Sequence, residues 1–141
     1  MNRVNIQQAQ PEAYKAMFGL EGYLASSSLA GNIQELVRLH ASQINGCQFC
    51  ITMHTDAALK QGETPQRLEA LTCWSTSELF NEQEQAILAV TEAMTLIADQ
   101  GLSDELYANI ARFLTEHEIA QLIMLIAAIN AWNRIGIATS A

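Results

Sequence analysis

Apolar side chains recur every three or four residues along most of the chain, and this spacing predicts helices rather than strands. The clearest case is the second predicted helix, one face of which carries Ile33, Leu36, Val37, His40, Ala41 and Ile44. No segment requires the alternating pattern of a half-buried strand. We therefore predict an all-α fold, a single-domain helical bundle of six to seven helices that spans residues 1–141.

Capping and turn residues indicate where the predicted helices begin and end. The predicted boundaries are a first helix that begins at Pro11, a second that ends at Asn45-Gly46, a third from about Cys47 to Gln61, a fourth from Pro65 to near Trp74, a fifth from Asn81 to Gly101, a sixth that follows Ser103 and a last that follows Thr115. The last helix is apolar nearly all round from Ile119 to Ile129, so we expect it at the centre of the bundle or in a subunit interface.

Composition and charge exclude several classes of protein. A chain of 141 residues, half of them apolar, is long enough to bury a core. The net charge is −8 with only seven Lys and Arg, so the clustered cations of a nucleic-acid-binding protein are missing. The first ten residues lack the apolar stretch of a signal peptide, and the run Ile119–Ile129 is too short to cross a bilayer core of about 30 Å. We therefore expect a soluble, cytoplasmic protein with neither nucleic acid nor a membrane as partner.

Two cysteines and a histidine occur close together in the stretch Gly46-Cys47-Gln48-Phe49-Cys50-Ile51-Thr52-Met53-His54. On a helix that turns about 100° per residue, Cys50 lies about 60° and His54 about 20° from Cys47 around the axis. One face of the third predicted helix therefore carries a pair of thiols and a base.

This arrangement is typical of thiol redox chemistry. A free thiol with a pKa near 8.5 is only about 3% thiolate at pH 7, and the thiolate is the nucleophile. A helix N-terminus and a histidine four residues after Cys50 both favour the ionised form. A cysteine that a peroxide oxidises to a sulfenic acid can condense with a second thiol to form a disulfide. We assign Cys50 as the attacking thiol and Cys47 as the resolving thiol, and the reverse assignment stays open at this point.

Glu35 lies twelve residues before Cys47, and together with Cys47-Gln-Phe-Cys50-Ile-Thr-Met-His54 it resembles the core motif of the AhpD branch of the carboxymuconolactone decarboxylase superfamily. The similarity begins at about residue 12 and includes the stretch Ile129–Ile135. This resemblance implies an all-helical AhpD-like domain, with its core motif at 35–54, that assembles as a homotrimer or a dimer of trimers. It also implies an alkylhydroperoxidase in which the two cysteines cycle between dithiol and disulfide, with Glu35 and His54 as a proton relay.

The resemblance also bears on substrates and partners. The implied substrate is hydrogen peroxide or an organic hydroperoxide, and no cofactor or metal is expected. The best-known member of the branch is re-reduced by a lipoylated dehydrogenase subunit, so the expected reductant is a lipoylated protein or another dithiol. In that member a histidine precedes the second cysteine, whereas this chain has Phe49, which cannot transfer a proton. Decarboxylase members lack the thiol pair, so its presence argues against lactone decarboxylation.

Two other classes of function stay open. A zinc site would take three ligands from the motif and a fourth from His40, Glu35 or Cys73. Against a zinc site, a second well-spaced cysteine pair is missing. The usual haem-attachment motif is also excluded, because Ile51 rather than histidine follows Cys50. The other class is a non-peroxidatic thiol redox sensor or an oligomeric interaction protein.

Several side chains also have purely structural interpretations. Without the resemblance, Glu35 is equally well explained as a solvated helix residue. The other predictions are His40 as a hydrogen-bonded core histidine, Cys73 as a small buried side chain and His117 as an exposed residue. Trp74 and Trp132 could line a substrate pocket, but packing in the core or an interface is the default for both.

Overall fold

The computed structural model describes residues 1–140 as eight α-helices and one 3₁₀-helix, with no strand in that range. The α-helices are α1 (Ile6–Ala9), α2 (Pro11–Ala25), α3 (Gly31–Asn45), α4 (Gln48–Lys60), α5 (Pro65–Ala70), α6 (Glu82–Thr95), α7 (Asp104–Ile110) and α8 (Glu116–Thr139), and the 3₁₀-helix is Leu71–Thr76. The prediction of an all-α, single-domain helical bundle is confirmed. The helix that the sequence did not predict is α1, a single turn that is too short to show an apolar period.

Several helix ends lie where the capping residues predicted them. Helices α6 and α8 begin with reciprocal capping boxes, Asn81 with Glu84 and Thr115 with Glu118. Helix α3 ends at Gly46, whose φ of 72° is in the left-handed region that favours glycine. This turn leads directly into α4, so the start of the cysteine motif has a defined place in the fold.

Two helices end earlier than predicted. Helix α6 stops at Thr95 rather than near Gly101, and Leu96, whose spacing suggested a longer helix, is 42% exposed. Helix α5 stops at Ala70, and the 3₁₀-helix that follows has a non-helical backbone at Cys73. Apolar spacing overestimated α6, because it counted Leu96 and Ile97, which do not reach the core. Beyond α5 the apolar Leu71 is buried as its spacing indicates, but it lies in the 3₁₀-helix rather than in a continued α-helix.

Helix α3 lies between two clusters of buried apolar side chains. It contributes Val37 to a cluster with α2, α6, α7 and α8, in which Leu122 and Ile126 are almost fully buried. It contributes Leu36 and Leu39 to a second cluster with α4, α5, α6 and the 3₁₀-helix. Because α3 also packs against α4, α6 and α8, polar residues on its remaining face are held in fixed positions.

Helix α8 passes for a membrane span by length and composition alone. It has 24 residues, and its most apolar 18-residue window has a mean hydropathy of 1.4. The expectation that no segment is long enough to cross a membrane considered only the run Ile119–Ile129, and the helix that contains this run is longer. In this bundle α8 packs against α2, α3, α4 and α6, and its Leu122, Leu125 and Ile126 are buried. A central helix of a globular bundle has the same length and composition, so this one helix is weak evidence for a membrane span.

Candidate active site

The two cysteines of the motif lie at the start of α4 and are joined by a disulfide bond. Cys47 is the N-cap residue, just before the helix rather than inside it, and Cys50 lies in the first turn. Each residue is only 3% exposed. The structure therefore brings the two predicted thiols together at a helix N-terminus, where the partial positive charge of the helix dipole favours a thiolate.

Buried amides hold the turn before Cys47 against α8. Asn45 Nδ2 donates to Oδ1 of Asn130 and to Oδ1 of Asn133, each at 2.9 Å. Asn133 Nδ2 in turn donates to Ser42 Oγ at 3.0 Å. Because buried amides are costly to leave unpaired, this network fixes the end of α3 relative to α8.

A glycine of α8 lies directly beside both sulfurs. A Cβ atom at Gly136 would be 3.2 Å from Cys47 Sγ and 3.7 Å from Cys50 Sγ. The shorter of these distances is tighter than ordinary van der Waals contact, so any side chain here would press on Cys47. Gly136 was not predicted from the sequence, because the residue lies far along the chain from the motif and has no side chain to indicate a role.

Glu35 of α3 and His54 of α4 form a hydrogen-bonded pair. The Nδ1–H group of His54 donates to Glu35 Oε2 at 2.8 Å. A carboxylate only accepts hydrogen bonds, so Nδ1 carries the proton and Nε2 is free to accept one. The side chains of His54 and Glu35 are 13% and 12% exposed. The interpretation of Glu35 as a solvated helix residue is therefore wrong.

Arg38 connects this pair to α2 and α8. Arg38 Nη1 donates to Glu35 Oε1 at 2.9 Å, and Nη2 donates to Glu21 Oε2 at 3.4 Å. The indole Nε1–H group of Trp132 donates to the other oxygen of Glu21 at 2.9 Å. Both oxygens of Glu35 are thus engaged, which fixes its carboxylate relative to His54. The three-residue spacing of Glu35 and Arg38 on a helix could have indicated this ion pair, whereas no local pattern links Glu21 to Trp132.

A cavity of about 790 Å³ opens beside this network. Its lining residues are Arg3, Val4, Asn5, Ile6, Gln7, Tyr14, Phe18, Glu21, Glu35, Arg38, Phe49, Cys50, Met53, His54, Ile129, Trp132, Ile135, Gly136, Thr139 and Ser140. Three of the four predicted site residues, Cys50, His54 and Glu35, are in this set, and Cys47 is not. Trp132 also lines the cavity, which is the alternative that the sequence left open beside packing in the core or an interface.

Residues 11–93 match the profile of the carboxymuconolactone decarboxylase family. The chain belongs to this family. The uncharacterized protein YdfG of Bacillus subtilis (strain 168) is a relative of this chain. The two chains are 40% identical over 136 residues, which cover 96% of this chain and 92% of YdfG.

Solved structures place the chain more narrowly within the carboxymuconolactone decarboxylase family. A protein of unknown function from Agrobacterium tumefaciens, with a suggested role as the antioxidant defence protein AhpD, superposes with a TM-score of 0.94 at 37% identity. This match covers 99% of the present chain and 95% of the other. The debrominase Bmp8 has a TM-score of 0.84 over 94% of this chain and 71% of its own, and its 21% identity indicates a shared fold alone. The chain is therefore an AhpD-like member of the family.

In this AhpD-like chain, Phe49 occupies the position immediately before the second cysteine. Phe49 is 74% exposed and lines the cavity together with Met53, which is 46% exposed. The hydrogen bonds from His54 through Glu35 to Arg38 include no atom of Phe49. These hydrogen bonds therefore form without a histidine at that position.

The environment of His40 agrees only in part with the prediction. It is buried, at 4% exposed, but neither ring nitrogen has a hydrogen-bond partner. Its Nε2 is 3.9 Å from Glu92 Oε2, which is beyond hydrogen-bond distance. Burial lowers the pKa of His40 below its ordinary 6.5, and the nearby Glu92 carboxylate offsets part of this effect. The prediction of a hydrogen-bonded core histidine is therefore right about burial and wrong about bonding.

The remaining candidates lie outside the cavity. Cys73 is an exposed free thiol, so the prediction that it is buried is wrong, because the backbone leaves the helical conformation at that residue. His117 is exposed as predicted. Trp74 packs against the buried cluster of α3, α4, α5 and α6, and its Nε1–H group donates to Glu92 Oε2 at 3.2 Å. Within residues 1–140, no group of three or more His, Cys, Asp or Glu side chains is placed to hold a metal ion.

Proposed function

We propose that this AhpD-like chain is a thiol peroxidase that reduces hydrogen peroxide or organic hydroperoxides through Cys47 and Cys50. The observation that carries the proposal is the cavity that Cys50 shares with His54, one helical turn away on α4. The bond to Glu35 holds the proton on Nδ1 of His54 and leaves Nε2 available as a base. The antioxidant role suggested for the Agrobacterium relative supports the same chemistry.

In the first step, Cys50 reacts with the peroxide. His54 Nε2 accepts the thiol proton, and the thiolate sulfur attacks the terminal oxygen of the hydroperoxide. The O–O bond breaks, the alkoxide takes the proton from His54 and leaves as an alcohol, or as water when the substrate is hydrogen peroxide. Cys50 is left as a sulfenic acid. Attack by Cys50 is supported by its place in the cavity lining, which Cys47 does not share.

In the second step, Cys47 resolves the sulfenic acid of Cys50. Its sulfur loses a proton and attacks the sulfenic sulfur of Cys50, the S–O bond breaks, and the oxygen leaves as water with that proton. The disulfide of the structure is the product of this step. A dithiol then restores both thiols by exchange and is itself oxidised to a disulfide. We also propose that the dithiol donor is a lipoylated protein, that the chain assembles as a homotrimer or a dimer of trimers, and that the protein is cytoplasmic.

The mechanism is tested by stopped-flow oxidation of the reduced protein with hydrogen peroxide and with organic hydroperoxides. All variants carry Cys73→Ser, because that exposed thiol would otherwise react with peroxide on its own. Cys50→Ser is expected to abolish rapid peroxide consumption. Cys47→Ser is expected to accumulate a sulfenic acid at Cys50, which a dimedone adduct in the mass spectrum detects. His54→Ala is expected to slow thiolate formation and therefore the oxidation itself.

Equal residual activity in these three variants would rule the mechanism out. A second assay supplies excess peroxide and dithiothreitol to the protein, and the proposed enzyme completes many cycles of peroxide reduction. A single round of oxidation without turnover would instead support the redox-sensor alternative.

A further inference from the structure

Three aromatic rings form one continuous side of the cavity. They belong to Tyr14 and Phe18 of α2 and to Trp132 of α8, and we call them the aromatic wall. The ring centroids are 5.0 Å apart for Tyr14 and Phe18, 5.6 Å for Tyr14 and Trp132, and 5.7 Å for Phe18 and Trp132. Each ring therefore contacts the other two at the distances of favourable aromatic pairs.

The aromatic wall is fixed before any ligand binds. The indole nitrogen of Trp132 donates to Glu21 at 2.9 Å, and Glu21 also accepts from Arg38. These bonds set the orientation of the Trp132 ring, and the ring in turn supports Tyr14 and Phe18. A preformed surface loses little conformational entropy when a ligand binds, so such a wall is suited to binding an apolar body.

The cavity is larger and more apolar than hydrogen peroxide requires. Its volume of about 790 Å³ is within the range of about 300–1,000 Å³ that is typical of small-molecule sites. Phe18 remains 55% exposed in spite of its two aromatic neighbours, so an apolar surface is available to a ligand. A ligand with an apolar body removes that surface from water, whereas hydrogen peroxide does not.

The charged side chains beside the wall favour an uncharged ligand over an anionic one. Glu21 and Glu35 carry two negative charges against the single positive charge of Arg38, so the three side chains leave a net negative charge beside the wall. An anionic ligand placed among them would lose its water and be repelled by this net charge, whereas an uncharged ligand meets neither cost. Arg3, the second arginine of the cavity lining, is exposed in the segment before α1. It donates to the carbonyl oxygen of Ala138 at 3.1 Å and takes no part in the hydrogen bonds of Glu21, Arg38 and Glu35.

We propose that the aromatic wall binds the organic body of a bulky, uncharged hydroperoxide and so determines the substrate specificity of the site. This inference rests on the proposed peroxidase function. None of the three wall residues takes part in the proton transfers of the mechanism, so the wall affects the choice of peroxide rather than the bond-breaking step. Cumene hydroperoxide is a suitable probe, because it combines a phenyl ring with the reacting O–O bond and carries no charge.

The activity test compares kcat/KM for cumene hydroperoxide with kcat/KM for hydrogen peroxide. Phe18→Ala is expected to lower the value for cumene hydroperoxide by about tenfold or more, because an apolar contact that binds the substrate is lost. The value for hydrogen peroxide is expected to stay within about twofold of wild type, since this substrate does not reach the wall. Tyr107→Ala is the matched control, because Tyr107 is a similarly exposed aromatic residue, 43% exposed, on α7.

The binding test uses the product alcohol, 2-phenyl-2-propanol, which cannot be reduced. Trp74→Phe leaves Trp132 as the one remaining tryptophan of the chain, so its fluorescence reports on the wall. Saturable change of this fluorescence on addition of the alcohol, weakened about tenfold by Phe18→Ala, is the expected result. A Tyr107→Ala variant should bind the alcohol as the parent protein does.

The possible outcomes separate this inference from the function on which it rests. Consumption of hydrogen peroxide without saturable binding of the alcohol overturns the inference alone, as does an unchanged ratio of kcat/KM values in Phe18→Ala. Saturable binding without consumption of any peroxide overturns the proposed function and supports the wall as an apolar binding site. If Phe18→Ala instead dissociates an oligomer and leaves the ratio unchanged, the rings are a subunit interface and the inference is wrong.

Discussion

His54 Nδ1 and Glu35 Oε2 are 2.8 Å apart, and this contact joins the helix that carries the cysteines to the preceding helix. The bond has two consequences for the chemistry of the site. It fixes the tautomer of His54, so that Nε2 is the basic nitrogen, and it limits rotation of the ring about its side-chain bonds. Arg38 holds the other oxygen of Glu35, so the carboxylate is itself restrained.

We predict that Glu35 acts through His54 rather than independently of it. His54→Ala is expected to slow peroxide oxidation of the reduced protein by about 100-fold, and Glu35→Ala by about tenfold, because the imidazole then loses its orienting partner. The double variant should be no slower than His54→Ala alone, since Glu35 has nothing left to orient. Stopped-flow rates for the four proteins provide the measurement. Losses that multiply in the double variant would show two separate roles, and the relay would then be wrong.

The second prediction concerns Gly136, where the missing side chain leaves room for the sulfurs. Glycine inside a helix destabilises a protein by about 1 kcal/mol relative to alanine, so a Gly→Ala change in open space should raise the melting temperature. Gly22 is such a position, because a Cβ atom there would have no atom within 4 Å. Gly136→Ala should not show this gain and should lower the melting temperature of the oxidised protein, since its Cβ atom would be 3.2 Å from Cys47 Sγ.

Thermal unfolding of the oxidised wild type, Gly22→Ala and Gly136→Ala measures this difference directly. Gly22→Ala serves as the control for helix propensity, because it makes the same chemical change in a helix of the same protein. An equal rise in melting temperature for both variants would show that Gly136 does not constrain the sulfurs.

Local patterns predicted much of the fold. The three-to-four spacing gave the helices, and capping residues such as Asn81 and Thr115 gave the starts of α6 and α8, because both depend on neighbours within one or two turns. The end of α6 was missed, because the apolar Leu96 suggests continued burial and only the packing of the bundle leaves it exposed. The burial of Cys73 was predicted wrongly for a similar reason. Its exposure follows from a non-helical backbone conformation that the neighbouring residues do not predict.

The same distinction between local spacing and tertiary packing applies to the residues of the candidate site. Cys50 and His54 lie one turn apart on α4, as their four-residue spacing predicts, whereas Cys47 lies just before that helix as its N-cap residue. Glu35 was selected only through the family resemblance, because its contact with His54 depends on how α3 packs against α4. The aromatic wall and Gly136 were not found, because they are brought to the cysteines by tertiary packing over long distances in the chain.

The third prediction is that His40 makes the fold sensitive to mild acid. Burial lowers the pKa of His40 in the folded protein below the ordinary value of 6.5, and the unfolded chain regains that ordinary value. Below pH 6.5 the unfolded state therefore binds a proton that the folded state does not bind. The free energy of unfolding should fall as the pH decreases through this window, by up to about 1.4 kcal/mol per pH unit.

Urea unfolding at pH 7.5, 6.5 and 5.5 measures this effect, and His40→Leu should reduce the loss of stability between the highest and lowest pH. Leucine fills the buried site without a titrating group, so the variant cannot gain a proton on unfolding at this position. His117→Gln is the control, because it removes a histidine from an exposed position rather than from the buried one. If wild type and His40→Leu lose stability in parallel as the pH falls, the acid sensitivity comes from other groups and not from the buried imidazole.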